Sequence, residues 1–104
     1  EDRTMNVLFD VDETLSKLEL DKDTPIDETI AILKALAKDD HFIYVSSGGG
    51  VDYAERRCRQ LGIAGYVAKI VPKDPDIIKL LNIDVSFDDQ ETRFGKVNLQ
   101  VRVR

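Results

Sequence analysis

Short apolar runs alternate with segments of helical periodicity along the chain, and this alternation is typical of an α/β domain with a parallel sheet. Apolar runs at residues 5–9, 42–45, 66–71 and 83–87 predict four strands. Residues 97–103 alternate strictly between apolar and polar side chains, which predicts a further strand at the sheet edge with one solvated face. The sequence therefore predicts a three-layer α/β/α, Rossmann-like domain with a mostly parallel sheet.

The segments between these runs predict amphipathic helices. Thr24 and Pro25 are a typical N-cap and first-turn pair, so we expect the first helix to begin there and to end near Asp39. The second helix spans residues 51–61, and Gly62 is expected to take the left-handed conformation after it. The third is short, at residues 77–81. Arg57, with its neighbours Arg56 and Arg59, is interpreted as part of a solvated helix face.

Length and composition set the domain count and exclude some functions. The 104 residues have room for one compact domain, so residues 1–104 are interpreted as one domain, with residues 1–4 flexible or derived from a tag. A net charge of −5 gives no general attraction for nucleic acid or for an anionic membrane. The single cysteine, and apolar stretches shorter than the roughly 18 residues of a membrane span, predict an intracellular, cytoplasmic protein.

Polar segments follow the four predicted strands at the point where each strand ends. They are residues 10–14, 46–47, 69–73 and 88–89. Right-handed crossovers bring the carboxyl ends of parallel strands to one edge of the sheet, where open α/β folds bind ligands. Each segment alone is more often a solvated turn or a cap, so the prediction of a functional site depends on their meeting.

Carboxylates that meet at this edge repel each other, by about 4 kcal/mol for two unit charges about 4 Å apart at an effective dielectric near 20. A divalent cation would compensate, and a sparse all-oxygen ligand set favours Mg²⁺ over calcium or zinc. Beside such an ion, a carboxylate can attack phosphorus to give an aspartyl-phosphate. Asp12, two residues after Asp10, could protonate the leaving oxygen and later deprotonate the hydrolytic water.

Residues 7–15, Val-Leu-Phe-Asp-Val-Asp-Glu-Thr-Leu, resemble the first motif of the haloacid dehalogenase (HAD) superfamily of aspartate-nucleophile phosphohydrolases. Residues 42–47 resemble its second motif, Lys73 the lysine of its third, and residues 87–89 its acidic fourth. The resemblance implies a HAD-like phosphatase with Asp10 as nucleophile and Asp12 as general acid/base. It also implies Mg²⁺ bound by Asp10, by Asp88 or Asp89, and by the backbone carbonyl of Asp12.

The candidate phosphate-binding residues are Thr14, Ser46, Ser47, Gly48 and Lys73. Ser47 is preferred to Ser46 because a serine followed by two glycines is a common ending of the second motif. Lys73 is preferred to Lys69 because it precedes the third helix and can reach the edge of the sheet. Glu13 departs from the motif, since many members of the family have glycine there.

Residues 15–24 leave room for a small flap but not for the cap domain that many family members carry. An uncapped site predicts a bulky phosphorylated substrate, or a lid supplied by a second copy of the chain or by another partner. Two alternatives stay open. One is a phosphotransferase that uses the same site, and the other is a non-catalytic HAD-like or receiver-like binding module, although receiver domains carry their acidic pair at the first strand.

Overall fold

The computed structural model describes residues 3–18 and 24–102. Its centre is a five-stranded sheet of order β5-β4-β1-β6-β7, in which every neighbouring pair is parallel. The strands of this sheet are β1 (Asn6–Asp10), β4 (Phe42–Ser46), β5 (Lys69–Ile70), β6 (Val85–Asp88) and β7 (Val97–Gln100). Two further strands, β2 (Ser16–Lys17) and β3 (Thr24–Pro25), pair with each other in antiparallel fashion.

Helices cover both faces of the central sheet. They are α1 (Asp27–Lys38), α2 (Val51–Gln60) and α3 (Pro75–Lys79), and a 3₁₀ turn spans Ala64–Tyr66. Side chains of α1 and α2, including Leu33 and Ala54, share one core with Phe9 and Val45. Ile78 of α3 shares a second core with Leu8. The predicted three-layer α/β/α, Rossmann-like architecture is confirmed.

The alternation of side chains along β1 decides which residues can meet at its end. Val7 and Phe9 pack toward α1 and α2, whereas Leu8 packs toward α3. Because successive side chains of a strand point to opposite faces, Asp10 shares the α3 face with Leu8. The register pairs Asp10 with Ser46 of β4, so Ser46 lies on this face as well.

The start of α1 differs from the prediction. Thr24 and Pro25 belong to β3, where Thr24 pairs with Lys17, and the helix begins at Asp27. Ile26 takes the N-cap position without a side-chain hydrogen bond, while its N–H donates to the Leu15 carbonyl at 2.9 Å. The predicted Thr24 cap is therefore wrong, because strand pairing places this residue before the helix.

Other boundaries shift less. Of the third predicted strand, residues 66–71, only Lys69–Ile70 form β5, and Tyr66 is the last residue of the 3₁₀ turn. The short helix begins at Pro75 instead of residue 77, because the Asp74 carboxylate caps it by accepting from the N–H groups of Asp76 and Ile77. Gly62 has the predicted left-handed φ of 72°.

Arg57 does not lie on a solvated face. Its side chain is buried, and its Nη2 donates to the hydroxyl of Ser16 at 3.0 Å. The interpretation of Arg57 as solvated is therefore wrong. Its long side chain extends from α2 to Ser16 of β2, and so connects two elements that are distant in sequence.

The edge position predicted for β7 is confirmed, but the expected buried face is not found within Val97–Gln100. Val101, just after β7, packs against the core. Val97 and Leu99 are 52% and 46% exposed, because the helices pack over the inner strands and leave β7 in contact with β6. Residues 103–104 of this predicted strand lie outside the described part of the chain. The same is true of residues 19–23 of the expected flap and of residues 1–2. No helix within residues 3–18 and 24–102 has the length and apolar character required to cross a membrane.

Candidate functional site

The chain makes a single helical turn directly after β1. The Val11 carbonyl accepts from the N–H groups of Thr14, Leu15 and Ser16 at 3.2, 2.8 and 3.2 Å. The turn brings the Thr14 hydroxyl back to Asp10, whose Oδ2 accepts from it at 3.5 Å. The polar residues of the first motif are thus held at the edge of the sheet.

Glu13 lies in this turn with a φ of 62°, in the left-handed region that favours glycine. Glycine adopts this φ without strain and would therefore suit the position. The Glu13 carboxylate accepts from the N–H of Leu18 at 3.0 Å, which offsets part of the backbone cost.

Lys73 joins the ends of β1 and β6. Its Nζ lies 3.1 Å from Oδ1 of Asp10 and 2.9 Å from Oδ2 of Asp88. Asp10 and Asp88 are 5% and 2% exposed, so the two carboxylates are almost completely removed from water. Carboxylate oxygens of Asp10, Asp88 and Asp89 lie within 4.8 Å of one another. The structure therefore brings together three acidic residues and one lysine from three separate segments.

Burial and the negative charge of Asp88 raise the pKa of Asp10 from its ordinary value of 3.8 to about 7, while Lys73 acts in the opposite direction. Burial lowers the pKa of Lys73, but its hydrogen bonds and ion pairs with Asp88 and Asp10 outweigh this effect and raise it above the usual 10.5. Lys73 is therefore charged at neutral pH. One ammonium group faces three carboxyl groups, which leaves the site with uncompensated negative charge when they ionise.

The Lys69 side chain is not part of this group. Lys69 is exposed and lies in β5, where it pairs with Tyr44. β5 ends at Ile70, and Lys73 lies in the loop between β5 and α3, from which its Nζ contacts Asp10 and Asp88.

The two serines after β4 have different surroundings. The Ser47 Oγ accepts from the N–H of Gly49 at 3.0 Å, a contact that shapes the turn. Ser46 is 1% exposed, and its hydroxyl has no hydrogen-bond partner within the described residues. Ser46 lies opposite Asp10 in the strand register and shares a sheet face with it. Gly48 is exposed in the same turn.

The carboxylate of Asp12 contacts α2. Its Oδ1 accepts from the hydroxyl of Tyr53 at 2.5 Å. The Tyr53 ring lies against Gly49, where an added Cβ would be only 2.8 Å from the ring. Sequence reasoning missed Tyr53, although an aromatic residue in the first turn of the helix after a site-forming strand was a usable signal.

The donor set of the acidic group fits a hard divalent cation. Asp10, Asp88 and Asp89 offer oxygen ligands only, and they carry more negative charge than Lys73 neutralises. Between β1 and α1, the described residues form the first turn and the short β2–β3 sheet. A buried carboxylate, a lysine and a serine hydroxyl thus lie at one edge of the sheet.

Comparison with protein-family models, with curated proteins and with solved structures finds no match for this chain. The resemblance to the HAD superfamily accordingly depends on the four sequence motifs and on the geometry of the residues that carry them.

Proposed function

We propose that this chain is a Mg²⁺-dependent phosphomonoester hydrolase of the HAD type that works through an aspartyl-phosphate on Asp10. One observation carries the proposal: the Lys73 ammonium contacts both Asp10 and Asp88, and the carboxylates of Asp10, Asp88 and Asp89 converge within 4.8 Å. This convergence supports three roles at one site. Asp10 would be the nucleophile, Lys73 would bind phosphate, and the three carboxylates would bind the metal ion.

Asp10, Asp88 and Asp89 would hold the metal ion, together with the backbone carbonyl of Asp12 that the resemblance implies. Mg²⁺ suits a site with few protein carboxylates, because it keeps several water molecules and shares phosphate oxygens. When bound, it would neutralise negative charge on the phosphoryl oxygens. The raised pKa of Asp10 supports this assignment, since it reflects negative charge that Lys73 does not fully balance.

In the first step, a carboxylate oxygen of Asp10 attacks phosphorus, and the bond between phosphorus and the ester oxygen breaks. Asp12 donates its proton to that oxygen, and the alcohol leaves. In the second step, Asp12 accepts a proton from water as the water oxygen attacks phosphorus. The acyl-phosphate bond breaks, which releases inorganic phosphate and restores the Asp10 carboxylate. Lys73 and the Ser46 hydroxyl donate to the non-bridging oxygens throughout.

The substrate class follows from the small amount of chain around the site. The described residues between β1 and α1 form only a short turn and a two-stranded sheet, which leaves few groups to surround a small substrate. We expect a bulky phosphorylated substrate that covers the site with its own surface, or a lid from a second copy of the chain or another partner.

The test is hydrolysis of an aryl phosphate in the presence of Mg²⁺, with Asp10→Asn as the blank and circular dichroism as the control for folding. The wild-type protein should release phosphate, and acid quenching should trap a hydroxylamine-labile phosphoenzyme. Retained turnover in a folded Asp10→Asn variant would overturn the assignment. A wider panel of nucleotides, sugar phosphates, phosphopeptides and phosphorylated oligonucleotides then defines the substrate. Silence across that panel, with Mg²⁺ still bound, would favour a binding module, and phosphate transfer to an added alcohol would indicate a phosphotransferase.

A further inference from the structure

A hydrogen bond joins two segments of the site that are 41 residues apart in sequence. The Tyr53 hydroxyl, in the first turn of α2, donates to Oδ1 of Asp12 at 2.5 Å. Asp12 lies in the turn after β1, and its carboxylate is partly buried. This contact therefore fixes the position of one loop carboxylate relative to a helix.

The packing around Tyr53 holds its hydroxyl in place. The ring lies so close to Gly49 that a Cβ at that position would approach to 2.8 Å from Cδ2. The guanidinium carbon of Arg56 lies 5.6 Å from the ring centroid. Ala54, the next residue of α2, is completely buried in the core, so the helix that carries the ring is itself anchored. The hydroxyl thus extends from a rigid support.

This hydrogen bond distinguishes the two carboxylate oxygens of Asp12 by position. Oδ1 is held toward α2 by the phenol, and Oδ2 lies outside this contact. Proton transfer requires the acid to lie within about 2.6–3.2 Å of the receiving atom. An aspartate side chain rotates about two torsions, and both must be restricted to hold its carboxyl group at that distance. The contact at Oδ1 restricts both torsions of Asp12 and so fixes the position of its carboxyl group.

We propose that Tyr53 is a positioning residue that orients the Asp12 carboxyl group for proton transfer to the leaving group. This inference rests on the proposed function. Tyr53 itself neither gains nor loses a proton in the reaction, and its effect reaches the substrate through Asp12.

The test compares two aryl phosphate esters whose leaving groups differ in their need for a proton. Phenolate from phenyl phosphate leaves poorly without protonation, whereas 2,4-dinitrophenolate leaves without it. Tyr53→Phe removes only the hydroxyl. We expect kcat/KM for phenyl phosphate to fall about 10- to 100-fold, within the range for impaired general acid catalysis, while kcat/KM for the dinitrophenyl ester changes less than about twofold.

Three variants serve as references. Asp12→Asn should show the same leaving-group dependence with a larger loss, and adding Tyr53→Phe to it should cause little further loss, since both changes act on one proton transfer. Gly49→Ala, which displaces the ring, should reproduce the pattern of Tyr53→Phe. Tyr66→Phe changes a tyrosine outside the site and should leave both substrates unaffected.

The results separate this inference from the proposed function. If wild-type turnover depends on Asp10 but Tyr53→Phe slows both esters equally, or slows neither, the positioning role is overturned while the hydrolase stands. If no turnover depends on Asp10, the proposed function fails and this inference fails with it. A loss confined to phenyl phosphate supports both.

Discussion

Asp10 and Ser46 lie directly opposite each other in the register of β1 and β4, on the face of the sheet that α3 covers. The Asp10 carboxylate accepts a hydrogen bond from Lys73, whereas the buried Ser46 hydroxyl has no partner within the described residues. An unsatisfied buried hydroxyl costs free energy unless a ligand uses it. If the chain binds phosphate as proposed, these contacts favour Ser46 over Ser47 as the phosphate-binding residue.

Ser46→Ala is expected to lower kcat/KM for an aryl phosphate by about 10- to 100-fold, as the loss of a hydrogen bond to a charged group implies. Its thermal stability should be unchanged or slightly higher, because the variant removes an unsatisfied group. Ser47→Ala is the matched control, since Ser47 already accepts from Gly49. It should lose about 1 kcal/mol of stability with a smaller effect on catalysis. The opposite ranking of the two variants in kcat/KM would assign the phosphate contact to Ser47.

The metal-free protein should become less stable as the pH rises from about 4 to 7. The pKa of Asp10 is raised to about 7 in the folded state, against 3.8 ordinarily, so over this interval the folded protein holds a proton that the unfolded chain has released. The stabilising contribution is complete below pH 4 and is lost as the pH passes through 7, with a slope of at most about 1.4 kcal/mol per pH unit. Denaturant titrations in EDTA at several pH values measure the free energy of unfolding and so test this pH dependence. Asp10→Asn lacks this group, so a wild-type curve parallel to that of the variant would contradict the expected shift.

Mg²⁺ should raise the melting temperature, because a ligand at 100 times its dissociation constant adds about 2.7 kcal/mol of stability. The increase should grow between pH 5 and pH 8, since the ion requires Asp10 without its proton. Asp88→Asn and Asp89→Asn should each reduce it, as both residues belong to the converging carboxylates. Differential scanning calorimetry at several Mg²⁺ concentrations gives the affinity. An unchanged transition at millimolar Mg²⁺ would argue against a magnesium site here.

Lys73→Met should destabilise the metal-free protein by about 1–3 kcal/mol, because it leaves Asp10 and Asp88 close together without their shared cation. Added Mg²⁺ should restore part of this loss by supplying positive charge at the same carboxylates. Lys69→Met is the control. Lys69 is exposed, so the change should alter stability by less than about 0.5 kcal/mol. Equal effects of the two variants in chemical denaturation would contradict the assigned role of Lys73.

Glu13→Gly should be more stable than Glu13→Ala by about 1 kcal/mol, the reverse of the usual order at helical positions. Both variants lose the hydrogen bond to the Leu18 N–H, so their difference isolates the backbone conformation. Glycine adopts the φ of 62° without strain, whereas alanine does not. Urea denaturation of the two variants provides the comparison, and an alanine variant as stable as the glycine variant would mean that the turn rearranges.

The layers of the fold could be predicted because hydrophobic periodicity reports directly on which face of an element is buried. The run at residues 5–9 and the stripe that includes Leu33 illustrate this. The start of α1 could not be predicted in this way, because Thr24 and Pro25 suit a helix start and a short strand equally well. Only the pairing of Thr24 with Lys17, a contact made in three dimensions, decides between them.

Prediction of the site had a similar limit. Topology places Asp10, Asp88 and Asp89 at the ends of the neighbouring strands β1 and β6, so their convergence follows from strand order. Lys73 reaches them from the loop between β5 and α3, and strand order alone does not predict this contact. The choice between Ser46 and Ser47 depends on side-chain direction, and a one-residue shift in strand register reverses it. Tyr53 and Arg57 act from α2 on residues near the first strand, and no local pattern identifies such cross-chain hydrogen bonds.

The proposed acidic ligands lie at the ends of β1 and β6, which are hydrogen-bonded neighbours in the sheet. Any opening that separates these two strands would also dismantle the site. Occupancy of the site should therefore slow amide hydrogen exchange throughout the inner strands, by a common factor set by ligand concentration over its dissociation constant. Exchange at the outer strand, β7, should be much less sensitive to occupancy, since local fraying there leaves the ligands in place.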